Sequence, residues 1–219
     1  MADILDPRRT ALVFFDMLKG YHYDKDGKAL VPEDKPLADA CVKIMNVARE
    51  LGVPVCYAAA DHRPDRKDAS PVITDLELRR PDPTPDASGP TGGPSVVHGS
   101  VASEVIDEIK PQPEDYEIRK HRWSAFHQTE LDLSLKTRGI DTIIIAGGST
   151  EVGVASTAYA ARDLDYNVVV LRDATHSGRG HTISDYYSTD VFPQVGRVRT
   201  IDQAIVMLRA GSQLTKEVK

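Results

Sequence analysis

GIDTIIIAGGSTEVGVASTAYAARDLDYNVVVLRDAT, residues 139–175, decides the fold. The apolar run at 142–146 reads as a buried strand, and small residues follow it at 147–149. An Ala-rich stretch at 152–164 then reads as a helix, and NVVVLRD at 167–173 as a second strand. Strand, tight turn, helix and strand in that order make a βαβ unit, which joins parallel strands by a right-handed crossover. The turn is a natural reaction site. The first N–H groups of the helix are unpaired, and its dipole favours negative charge. Many hydrolases place a thiol at such a turn, but this chain has Gly153, so no thiolate acts from that position.

The same alternation extends outward. Strands are expected at 10–17, 53–60, 116–120 and 197–200, in addition to the two above. Helices are expected at 37–51, where apolar residues recur at helical spacing before Gly52, and at 101–109, 131–138 and 201–210. The expected fold class is α/β: a three-layer αβα, Rossmann-like domain with a six-stranded, mainly parallel sheet. Ligands in such folds bind beyond the carboxyl ends of the strands. With 219 residues and no composition shift or internal repeat, one domain over 1–219 is expected. The exception to the pattern is 61–97, rich in Pro, Asp, Gly and Arg, which reads as a long loop, lid or subunit-contact arm.

Composition narrows the functional classes. A net charge of −6 and the lack of a long basic run argue against nucleic acid as a partner. No apolar run approaches the length that spans a bilayer, so no membrane partner is expected. The opening MADILDPRRT has no basic start and apolar stretch of a signal-peptide kind, and a cytoplasmic location is expected. Two cysteines, Cys41 and Cys56, make neither a disulfide framework nor a zinc pattern and read as small core residues.

Three points fall at carboxyl ends of expected strands: Asp16, Lys120 and the Gly153 turn. An acid that follows two phenylalanines is partly desolvated, which disfavours its charge, while a lysine beside it favours that charge. The balance suits proton transfer near neutral pH. A buried Asp–Lys pair that merely ties two strand ends reads equally well from the spacing.

These residues also carry a family resemblance. FFDM at 14–17, IRKHRWSAFHQTEL at 118–131 and the 139–175 segment resemble the isochorismatase-like hydrolase superfamily, which also holds nicotinamidases and N-carbamoylsarcosine amidohydrolases. The resemblance runs over about 10–210, and the Lys-x-Arg-x-Ser-x-Phe-x-x-Thr-x-Leu pattern from Lys120 to Leu131 is its most specific part. Leu18 and Tyr21 stand where Gln and Phe are usual. The resemblance implies that Asp16 and Lys120 are the family's catalytic acid and lysine. It also implies that Gly153 replaces the nucleophilic cysteine and that a non-proline cis peptide joins Gly148 to Ser149. Isochorismatases proper also have glycine there, and in them the Asp protonates a vinyl ether and water completes cleavage. KHRWSAFH at 120–127 resembles that branch, whereas DHRPD at 61–65 and the long 61–97 segment look more like carbamoyl amidohydrolases.

The resemblance implies further site residues. Arg122 and Phe126, the backbone N–H groups of Ser149 and Gly153, Glu151 and His62 are the expected substrate contacts. Glu151 reads either as a replacement base or as an acid that favours the helix N-terminus. Asp61, His62 and His98 resemble the nicotinamidase metal site, but Ala60 stands where that site has its Asp, so no metal and no cofactor are expected. His176 and His181 flank a Gly-rich turn and read as part of a solvated loop or helix cap and not as a metal pair. The expected protein is a homo-oligomeric hydrolase acting on a small, anionic molecule with water. Amide or carbamoyl hydrolysis is the alternative, and a catalytically inactive binding or assembly relative is the third reading.

Overall fold

The computed structural model describes residues 3–70, 72, 75 and 96–217, the last three as backbone. Six strands form one sheet in the order β3-β2-β1-β4-β5-β6. They are β1 (Thr10–Phe15), β2 (Val55–Ala60), β3 (Tyr116–Lys120), β4 (Thr142–Gly148), β5 (Asn167–His176) and β6 (Arg197–Arg199). Every pairing is parallel. The order reverses between β1 and β4, which opens a crevice at the carboxyl edge where α/β folds bind ligands.

Burial explains why the strands read as continuous apolar runs. All six residues of β1 and all seven of β4 are buried, as expected when helices cover both faces of a parallel sheet. Alternate residues of β1 serve opposite faces. Leu12 and Phe14 join one core with α2 (Lys35–Glu50) and α7 (Ile201–Glu217). Ala11, Val13 and Phe15 join the other, with α3 (Leu131–Lys136) and α4 (Ala155–Asp163). On α2 the buried Leu37, Ala38, Cys41, Ile44, Met45 and Ala48 follow helical spacing, and the helix stops before Gly52. The remaining α-helices among the described residues are short: α1 (Lys19–His22), α5 (His181–Tyr186) and α6 (Phe192–Val195).

One expected element differs. The 101–109 stretch is two single 3₁₀ turns, Val101–Ser103 and Asp107–Ile109, and not a helix. The chain between them spends its backbone groups on the exit from β1. The Ile106 N–H donates to the Met17 carbonyl, the Glu104 carbonyl accepts from Lys19 N–H, and Val105 bridges Leu18. Helical bonding would leave those partners unpaired. Most of the 61–97 segment lies outside the described residues.

Candidate active site

Asp16 leaves β1 in a left-handed conformation, φ 48°, a region that Asp tolerates better than most residues. Its two carboxylate oxygens have separate partners. The Ala60 N–H donates to Oδ1 at 2.8 Å, and the Lys120 ammonium donates to Oδ2 at 2.8 Å. Register supplies both, because Ala60 is paired with Lys120 across β2 and β3. The Lys120 side chain is only 4% exposed, and this carboxylate is the counter-charge beside it. The ammonium also lies 4.2 Å from the centre of the Phe15 ring. Tyr21 stands close by: burial, and then the Asp16 charge, hold its phenol protonated well above the usual range.

The other wall is the exit of β4. Gly148 and Ser149 are joined by a cis peptide, and Thr150–Val154 forms a wide π-type turn ahead of α4. Such turns recur at functional sites. Gly153 is buried within it, against Phe15. A Cβ at position 153 would lie 1.9 Å from Cε1 and 2.2 Å from Cζ of that ring. The ring therefore fills the volume that any side chain at 153 would need.

The family model described as the isochorismatase domain matches residues 10–203. The chain belongs to the isochorismatase family. It is 33% identical to the uncharacterized isochorismatase family protein YwoC of Bacillus subtilis over 208 residues, which is 94% of this chain and 97% of YwoC. It is 31% identical to the ureidoacrylate amidohydrolase RutB of Caulobacter segnis, over 78% of this chain and 74% of RutB. It resembles the crystal structure of N-carbamoylsarcosine amidase from Thermoplasma acidophilum with a TM-score of 0.67 and 30% identity, covering 89% of this chain and 97% of that one.

The remaining sequence-identified residues of this family member fall in three places. Glu151 sits in the β4 turn and accepts from the Ser149 hydroxyl at 3.0 Å and the Ser177 hydroxyl at 2.9 Å. Both of its oxygens are thus engaged in fixing the turn. Arg122 donates to the Asp68 and His121 carbonyls, and Phe126 packs against Tyr166 with ring centres 5.4 Å apart. His62 lines a cavity of about 340 Å³ with Asp61, Asp68, His98 and His121, beside the ends of β2 and β3. Ligand-type atoms of His62, Asp68 and His121 lie within 4.8 Å of one another. The sequence reading had grouped His62 with Asp61 and His98. Instead Asp61 pairs with His98 at 2.9 Å, and Asp68, brought back by the turn at 63–66, takes its place.

His176 requires a correction. It is not in a solvated loop but is the last residue of β5, paired in register with Gly148. The space left by the absent Cβ of Gly148 holds its ring, since a Cβ there would stand 2.5 Å from Cε1. Burial, and then the neighbouring His22, push its pKa down. His181 is exposed and is the first residue of α5, whose N-cap is Gly180, so it is neither in a loop nor the cap itself. Phe15 went unassigned as a site residue because only the folded topology brings its ring to Gly153, and His22 and Asp34 because only that topology brings them to His176.

Proposed function

We propose that this protein is a cysteine-independent hydrolase that uses water directly, with Asp16 as its acid–base group and Lys120 holding that carboxyl in place, on a small anionic substrate. The observation that carries the reading is the Phe15 ring against Gly153: the position where a thiol would act is filled by a neighbouring side chain. Among the described residues, the Asp16 carboxylate, the Lys120 ammonium and the backbone of the 149–153 turn are available there. Those parts suit acid–base chemistry with electrostatic stabilisation of developing charge. On a vinyl ether, a protonated Asp16 gives its proton to the terminal carbon, water adds to the resulting cation and returns a proton to the Asp16 carboxylate, and the hemiketal collapses to a carbonyl and an alcohol.

A second reading is favoured by the relatives named as ureidoacrylate amidohydrolase and N-carbamoylsarcosine amidase. On a ureido or amide carbonyl, Asp16 takes the proton of the attacking water and returns it to the leaving nitrogen. The two readings need opposite starting states of one carboxyl group. A screen of vinyl-ether acids, ureido acids and amides, read by mass, finds the substrate. The pH dependence of kcat then separates the routes: an essential acid loses activity as pH rises through its titration, and an essential base as pH falls. A ligand that binds without turnover in any class, with Asp16→Asn binding it equally, would overturn both in favour of a binding relative.

A further inference from the structure

Three side chains outside the Asp16–Lys120 pair meet behind the Gly148–Ser149 turn. His22 ends α1, Asp34 ends the 3₁₀ turn Pro32–Asp34 that precedes α2, and His176 ends β5. One ligand-type atom from each lies within 4.8 Å of the other two. The imidazole centres are 5.4 Å apart, and the Asp34 carboxylate is 2.9 Å from His22 Nδ1.

The bonding leaves two nitrogens over. His22 is only 1% exposed, and its Nε2 is buried without a hydrogen-bond partner, as is His176 Nδ1. Buried polar atoms in folded proteins are satisfied almost without exception, so an open nitrogen on each of two rings whose centres are 5.4 Å apart calls for an occupant. With Nδ1–H of His22 donating to Asp34, the lone pair of Nε2 is the free face of that ring. A carboxylate that orients a histidine in this way is the usual support for an imidazole bound to a metal. Two imidazoles and one carboxylate suit zinc and its neighbours far better than magnesium or calcium, which take oxygen ligands.

We propose that His22 and His176 bind a divalent transition cation of the zinc class, with Asp34 fixing the His22 tautomer and supplying the balancing charge. The ion ties α1, the approach to α2 and the end of β5 into one unit behind the β4 turn. This site is independent of the hydrolytic reading and of the separate His62, Asp68 and His121 group in the open cavity.

The test uses the full chain, stripped with a chelator and titrated with Co²⁺ and with Zn²⁺ by calorimetry and visible absorption. Binding at this site is lost in His22→Gln and in His176→Gln, and is weakened about 10–100-fold in Asp34→Asn. It persists in His62→Ala. Thermal unfolding of the native chain shifts up by about 5–10 °C at a hundredfold excess over Kd. Crystals soaked in Zn²⁺ give an independent readout should a variant fail to fold, with an anomalous peak expected between His22 and His176. No bound ion, or an ion located only at His62 and His121 and lost in His62→Ala, overturns the proposal.

Discussion

Phe15 and Gly153 share one volume: the ring lies where a side chain on the glycine would begin. Neither residue can therefore be changed without consequence for the other. Gly153→Ala is expected to cost about 1–3 kcal/mol, because the fully buried ring must leave a packed position. Phe15→Val is expected to cost a similar amount through the space it vacates. Combined, the two should be less costly than their sum by more than about 0.5 kcal/mol, the mark of coupled neighbours. Urea unfolding of the four proteins checks this, and simple additivity would show that the ring has room to spare.

Asp16→Asn keeps an oxygen for Lys120 but cannot exchange a proton. We expect kcat to fall about 10²–10⁴-fold with the fold intact. Lys120→Met removes the partner of a carboxylate whose side chain is 15% exposed, and should lower both stability and turnover. Full turnover in Asp16→Asn, measured on whichever substrate the screen yields, would remove it from the chemistry.

The two thiols should be silent. Burial pushes the Cys56 thiol up to about 12 and the Cys41 thiol higher still, and both lie in the core. Alkylating agents act on the thiolate, so native protein at neutral pH should remain unlabelled and both sites should react once it is unfolded. Rapid loss of activity on alkylation, prevented by substrate, would reverse the cysteine-independent reading.

Asp115 holds the start of β3 to α2. Its carboxylate, 4% exposed, accepts from Arg49 at 2.6 Å and from Gln112 N–H at 2.8 Å. Asp115→Ala leaves the guanidinium without its counter-charge and should destabilise the chain by about 3 kcal/mol. Denaturant melts give the value, and a loss under about 0.5 kcal/mol would make this an ordinary surface pair.

How far the site could be read from the sequence follows from what periodicity encodes. Strand β3 was read at its observed bounds, and Asp16, Lys120 and Gly153 at strand ends, because apolar runs and small-residue turns are local signals. The 101–109 stretch misled because the chain between its two short turns bonds to Met17 and Lys19, just after β1, and so cannot continue as a helix. His176 misled for a related reason: a Gly-rich turn follows it, yet β5 runs on to reach Gly148. Phe15 was legible as a strand residue but not as the occupant of the 153 side-chain space, since that meeting is set by the register of β1 against β4. The same holds for His22 and Asp34, which are joined to His176 only by the crossover order of the sheet.

The Asp16–Lys120 contact spans 104 residues of chain. It closes only when β1, β2 and β3 have all docked, the last of them at the sheet's outer edge. Such distant pairings form late, after the entropy of closing long loops has been met. A newly made or partly unfolded chain thus holds Asp16 and Lys120 apart until the edge strand docks. On the proposed function, the appearance of activity during refolding becomes a clock for the docking of β3, and a single assay reports the assembly of the whole wing.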